Sequence, residues 1–153
     1  MKTEERKTGD HGPASTRPLR PRSEASSLGE AGEVVALNYL KKHGYTILAR
    51  NYENKIGEID IIAQKGGAII FVEVKAQDVG DLEYDETGAR LYPERSVDWR
   101  KQKKLIKTAE YYLLEKDYDE DTNWQIDVIG VDLDELARSA DLRHLKNAVE
   151  RWR

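Results

Sequence analysis

Two apolar runs, EIDIIAQ from Glu58 and AIIFVEVKA from Ala68, flank Lys65-Gly66-Gly67. Runs rich in Ile and Val, separated by a Gly-Gly turn, read as a β-hairpin. Upstream, in GEAGEVVALNYLKKHG, the residues Ala31, Val34, Val35, Leu37 and Leu40 recur at helical spacing. They predict a helix from Gly29 to His43 with that stripe toward the core, and Gly44 as the residue that ends it. Tyr45 to Arg50 reads as a strand and YENKIG as a turn. Gln77 to Arg95 is polar and reads as a loop. A second helix is expected from Ser96, as N-cap, to Lys116, with Leu105, Ala109, Tyr112 and Leu113 inward. NWQIDVIGVDL reads as a fourth strand and LRHLKNAVERW as a short closing helix. The core order is α-β-β-β-α-β: an α/β fold with a mixed β-sheet flanked by helices.

Residues 1–28 carry Pro13, Pro18 and Pro21 among Ser, Thr, Gly and charges, with almost no large apolar side chain. They read as a disordered tail, with residues 29–153 as one domain. The cluster Arg17, Arg20 and Arg22 reads as part of that solvated tail. No cysteine is present, which excludes disulfides, thiolate metal sites and a cysteine nucleophile, and fits a cytoplasmic protein. No apolar run approaches the ~20 residues of a membrane span, and no secretory signal is expected. The net charge of −4 argues against a passive nucleic-acid coat, which is usually basic. It does not argue against a metal-dependent enzyme on nucleic acid, whose acidic site binds cations.

Charge changes the reading of the hairpin. Asp60 interrupts its first strand, and Glu73 and Lys75 interrupt its second. Alternation puts Glu73 and Lys75 on one face, ~7 Å apart along the strand. On the first strand it puts Asp60 with Glu58 and Ile62, and Ile59, Ile61 and Ala63 on the other face. The hairpin can then make Asp60 and Glu73 neighbours. Unpaired burial of two carboxylates costs several kcal/mol each, so something must offset it. A Mg²⁺ ion does so, with one or two carboxylates, waters and phosphate oxygens. The Val74 carbonyl is a further candidate ligand, and Lys75 can orient water or stabilise charge on a phosphate. The bland alternative is an edge strand with solvent-facing salt bridges. Glu53-Asn54-Lys55 shows how weak Glu-x-Lys is as a pattern, because there it lies in a polar turn.

The segments LARNYENKIGEIDIIA, IIFVEVKAQ, VDWRKQKKLIKTAEYYL, WQIDVIGVD and LRHLKNAV resemble the YraN-like family of bacterial proteins. That family belongs to the restriction-endonuclease-like superfamily and is similar to archaeal Holliday-junction resolvases. The resemblance covers roughly residues 29–149. It implies a metal-dependent nuclease site at Asp60, Glu73 and Lys75, with Glu33 as an additional acid, and Mg²⁺ or Mn²⁺ as cofactor. Asp60, Glu73 and Glu33 would be the metal ligands. It also implies that Arg50, Asn51, Lys101 and Gln102 contact phosphate or support the site. DNA, branched DNA included, would be the partner, and a homodimer is compatible with the resemblance. The chain departs from the family at Gln77, where Arg is frequent, at Glu53, where a basic residue is common, and in its longer acidic loop from Gln77 to Arg95.

Arg90, Arg95, Arg100, Lys101, Lys103, Lys104 and Lys107 form the densest basic stretch, with Arg100, Lys103, Lys104 and Lys107 at helical spacings on the second helix. With Arg50, Asn51 and Gln102 they make the expected nucleic-acid surface; an ordinary solvated helix face is the competing reading. Trp99 beside them reads more readily as an anchor of the helix than as a base-stacking residue. His11, His43 and His144 lack metal-ligand spacing and read as structural or exposed. The leading function is a metal-dependent endonuclease hydrolysing DNA phosphodiester bonds. The alternatives are a non-catalytic nucleic-acid-binding module that acts with partners, and an interaction protein whose charges form salt bridges.

Overall fold

A computed structural model of the chain describes residues 24–150. In chain order it has α1 (Glu24–Lys42), β1 (Thr46–Glu53), β2 (Glu58–Lys65), β3 (Ala68–Asp78), α2 (Trp99–Glu115), β4 (Trp124–Asp134) and β5 (Ser139–Leu145). One sheet holds the five strands in the order β1-β2-β3-β4-β5. All neighbours are antiparallel except β3 and β4, which are parallel and joined through α2. A parallel pair needs such a crossover. The basic cluster expected in the tail lies outside the described residues. Helix α1 begins at Glu24, ahead of the Gly29 expected from the apolar spacing.

The hairpin forms as expected. Lys65 pairs with Ala68, and Gly66 and Gly67 have φ of 58° and 77°, the two positive values a two-residue turn of this kind requires. Gly44 ends α1 with φ 84°.

Two cores lie on the two sheet faces. Ala36, Leu37, Leu40 and Tyr45 pack on Ile61, Ala63, Ile70, Val72, Ile129 and Val131. Leu105, Ala109 and Tyr112 of α2 pack on Ile59, Ile62, Ile69, Phe71 and Ile126. The inward face of α2 is thus the expected one, with Leu113 partly buried. The face of α1 is the expected one only in part: Val35, Leu37 and Leu40 lie toward the core. Ala31 and Val34 are exposed, Val34 by 45%, and Ala36 takes the central place. The reason is Gly32, where a Cβ would lie 2.4 Å from Ala76 Cβ. The helix backbone comes closest to β3 there, which turns Gly32, Ala36 and Leu40 inward.

Three further expectations are corrected. Asp98, not Ser96, caps α2, accepting from Arg100 N at 2.7 Å. Ser96 instead closes a 3₁₀ turn over Pro93–Arg95. The segment read as a closing helix begins inside β5, which pairs antiparallel with β4 from Asp134–Ser139 to Val128–Leu145. Strand geometry sends Arg143 and His144 to opposite faces, where each meets buried acids; a helix would not part them so. Last, Ile59 packs with Ile62 on the α2 face rather than with Ile61 and Ala63. On β1, Ala49 and Tyr52 likewise share the α2 face. Alternation therefore slips on both strands between the pairs Arg50–Ile61 and Tyr52–Ile59, where Asn51 has φ 49°. Asp60 sits at that slip.

Candidate functional site

The hairpin register carries Asp60 toward Glu73, but β2–β3 pairing stops at Ile61–Val72. Beyond it the strands part, and Val74 N–H donates to Asp60 Oδ2 at 2.8 Å, so the side chain takes the ladder position the backbone has left. The Val74 carbonyl shares the direction of its N–H and faces the same gap. Glu73 is buried on the α2 face. Glu33 reaches the gap from α1, within hydrogen-bonding reach of Asp60 and of Asn51 and near Arg50. The site thus draws on both faces of the sheet because the strands separate there.

The three carboxyls crowd one another. Burial, then the Glu73 charge, push Asp60 up to about 8, against the pull of Val74 N–H. Burial also raises Glu33, although Arg50, Asn51 and Asp60 oppose it. Glu73 has cations: Lys101 Nζ at 2.9 Å from Oε1, and Lys75 Nζ at 3.7 Å. Burial disfavours the Lys101 charge, yet the bond and charge of Glu73 outweigh it and raise that lysine.

Among the described residues, no three His, Cys, Asp or Glu side chains converge into a set that encloses a metal alone. The acids present fit a cation that keeps most of its water, as Mg²⁺ does. Asp60 and Glu73 offer two hard oxygen donors, Val74 a carbonyl, and Glu33 stands beside Asp60. The clash of like charges at Asp60 is what a divalent ion would relieve.

The other expected residues divide. Arg50 and Asn51 are placed at Glu33, and Lys101 at Glu73. Gln102 points away and donates to Val97 O at 2.7 Å, holding the segment that leads into α2. Lys101 and Lys104 line an open groove of about 380 Å³ with the 53–58 turn and Leu105. Arg100 and Lys103 instead stand over the Trp99 ring, at 5.6 and 5.1 Å. Trp99 is 61% exposed and does not anchor the helix.

Two polar networks escaped the sequence reading. Arg143 of β5 donates to Asp132 from Nη1 and Nη2, at 2.8 and 3.1 Å, and to Glu94 from Nε and again from Nη2. Arg90 and Gln77 also donate to Asp132, Gln77 at 3.0 Å. Burial would raise Asp132, but Arg143, Arg90 and Gln77 bring it down to about 2. A Cβ on Gly130 would fall 2.4 Å from the Glu94 carboxyl, so only glycine admits that buried acid over the strand. On the other face, Tyr39 OH meets His144 Nδ1 at 3.1 Å, and His144 Nε2 meets Asp127 Oδ2 at 2.7 Å. His144 is buried and structural. The available signal was in β4, where Asp127 and Asp132 interrupt an apolar strand just as Asp60 interrupts β2.

An antiparallel hairpin with a strand parallel to it through a crossover helix, packed on a second helix, and an Asp–Glu-x-Lys set where the hairpin parts, define a restriction-endonuclease-like, nuclease-like fold. Residues 32–131 match the uncharacterised protein family UPF0102. The chain belongs to that family, the YraN family. It is 38% identical over 122 residues to a UPF0102 protein of Persephonella marina, covering 80% of this chain and 92% of that one. A UPF0102 protein of Lachnoclostridium phytofermentans is 39% identical over 124 residues, covering 81% and 93%. One of Clostridium botulinum is 36% identical over 125 residues, covering 80% and 94%. Among solved structures, that of Pyrococcus furiosus SfsA in complex with Ca²⁺ matches with TM-score 0.39 and 19% identity, covering 83% of this chain and 65% of that one. At that score the likeness carries no weight in the argument. Among the described residues, no helix is long and apolar enough to cross a membrane.

Proposed function

We propose that the chain is a Mg²⁺- or Mn²⁺-dependent endonuclease that hydrolyses DNA phosphodiester bonds. The observation that supports this reading is Asp60, a carboxyl pushed up to about 8 by burial and by Glu73 in a gap between strands. A purely structural acid would be expected to have donors around it.

Asp60 and Glu73 hold the cation in this reading, the Val74 carbonyl adds an oxygen, and Glu33 assists through Asp60. When bound, the cation supplies charge neutralisation at the scissile phosphate. Lys75 rests over Glu73 and positions the attacking water or stabilises charge developing on the phosphate. Arg50, Lys101 and Lys104 stand near the acids and the groove beside them, where they can hold the flanking phosphates. Lys101 is half-exposed, and with a cation held by Glu73 it would be available to a flanking phosphate.

One observation favours a second reading. The Lys101–Glu73 bond of 2.9 Å neutralises Glu73 without metal, as suits a nucleic-acid-binding module that does not cut. Labelled duplex, nicked, single-stranded and branched DNA, incubated with Mg²⁺, Mn²⁺ or EDTA, separates the two. Metal-dependent cleavage by the wild type that disappears in Asp60→Ala and in Lys75→Ala supports the enzyme. Salt-dependent binding without cleavage in any metal would sink it in favour of the binding module.

A further inference from the structure

From Trp99 we infer a stacking subsite for one unpaired base across helix α2 from the carboxylate site, which makes DNA with unpaired nucleotides the preferred ligand. The inference rests on the nucleic-acid reading above and narrows its substrate class.

The contrast with Trp124 makes the point. Trp124 packs against the core and meets Phe71 edge to face, with ring centroids 5.6 Å apart. Trp99 belongs to neither core and is 61% exposed. Among the described residues it is the largest apolar side chain left in solvent. Its backbone is nonetheless fixed. It is the first residue of α2, and the Asp98 side chain caps that end through Arg100 N. A rigid ring needs little ordering when a base stacks on it.

Its neighbours match a nucleotide. Arg100 and Lys103 stand over the ring, at 5.6 and 5.1 Å from its centroid, so a base that stacks there displaces one of these cations from the face toward its own phosphate. A base needs an aromatic face and its phosphates need cations; this arrangement offers both and reads no sequence. An apolar peptide would gain nothing from the two charges.

The same helical turn ties the ring to the acids. Lys101, two residues on, reaches Glu73 at 2.9 Å. At 100° per residue it leaves α2 on nearly the opposite side from Trp99. A helix with its side chains is about 10–12 Å across. That distance is roughly three stacked nucleotides at ~3.4 Å each. The first turn of α2 therefore acts as a wedge: Trp99 holds the unpaired base, and Lys101 marks the side on which the strand meets the carboxylates.

The test uses the full chain as wild type, Trp99→Ala and Trp99→Phe, in EDTA so that hydrolysis plays no part. The probes are a labelled duplex and the same duplex with one bulged 2-aminopurine. The expected result is that wild type and Trp99→Phe change the 2-aminopurine emission and prefer the bulged probe by about tenfold. Trp99→Ala should lose both the emission change and the preference, with duplex affinity within about twofold of wild type. If Trp99→Ala keeps the preference, or the wild type shows none, the subsite is refuted even in an active nuclease. If the wild type binds neither probe in EDTA, and neither after Mg²⁺ is added, both this inference and the nucleic-acid reading fall. If the Trp99-dependent preference is present but no metal restores cleavage, the subsite stands and only the hydrolytic reading fails.

Discussion

Two groups of acids lie along the same sheet, and their surroundings are opposite. Asp132 receives three side chains, Arg143, Arg90 and Gln77, and is held down at about 2. Asp60 receives one backbone N–H, faces Glu73 and Glu33, and is pushed up to about 8. The first group is a closed clamp. It ties β4 and β5 to the loop before α2, and both its carboxylates are paired with arginine, while Arg90 Nε is buried among them without a hydrogen-bond partner among the described residues. In the second, Asp60 has a single backbone N–H as donor and, among the described residues, no cation of its own, between two other acids. Burial alone does not distinguish a structural acid from one awaiting a ligand; the balance of partners does.

The largest expected effect lies in the clamp. Arg143→Ala leaves Asp132 and Glu94 buried with their main cation gone, and should cost about 3–5 kcal/mol in denaturant unfolding. A cost near zero would mean that the clamp is not closed as described. At the other site the sign reverses. Asp60→Asn keeps the size and removes a strained charge, so it should stabilise the metal-free chain by about 1–3 kcal/mol at pH 8. The same substitution should abolish metal-dependent cleavage.

The pH dependence sharpens the comparison. In the unfolded chain both aspartates titrate near 4. Folded Asp60 keeps its proton up to about 8, so unfolding releases a proton between those values and stability falls as the pH rises through that window. Folded Asp132 stays ionised down to about 2, so its contribution is present above pH 4 and is lost as the pH falls toward 2. Unfolding of wild type and Asp60→Asn from pH 5 to 8 should show the slope in the first and a much flatter one in the second. Parallel curves would contradict the assignment.

Gly130→Ala tests the clamp from its floor. The added Cβ would meet the Glu94 carboxyl at 2.4 Å and should cost about 1–3 kcal/mol. The smallest effect belongs to Lys101→Ala. Its pair with Glu73 involves a half-exposed lysine, so the loss should stay within about 1 kcal/mol of stability. DNA affinity should fall more visibly than stability does.

Much of the candidate site was legible because it is local. The Gly66-Gly67 turn sets the register, and the register carries Asp60 to Glu73 without help from the rest of the fold. The clamp was not legible, because its meaning needs partners far apart in the chain. Arg143 is 49 residues from Glu94 and 11 from Asp132. Taken alone, LRHL fits a helix as well as a strand. The acids of β4 select the strand, since only strand geometry delivers Arg143 to one face and His144 to the other. One edge of the α1 stripe was misread for a similar reason: apolar spacing includes Ala31 and Val34 with Val35, Leu37 and Leu40, while close contact at Gly32 with Ala76 turns Gly32 and Ala36 inward instead. Trp99 was read as an anchor because burial is the usual fate of tryptophan, and no local pattern shows that Ile62, Phe71 and Leu105 fill the core without it.

The most direct test of the central claim is calorimetric titration of Mg²⁺ into wild type and Asp60→Asn at pH 7 and 8, in two buffers of different ionisation enthalpy. A cation that displaces the Asp60 proton predicts binding by wild type, tighter at pH 8, with proton release at pH 7 that depends on the buffer. It predicts loss of that binding in Asp60→Asn. Binding that ignores pH and survives Asp60→Asn, or no binding by wild type at pH 8, would contradict it.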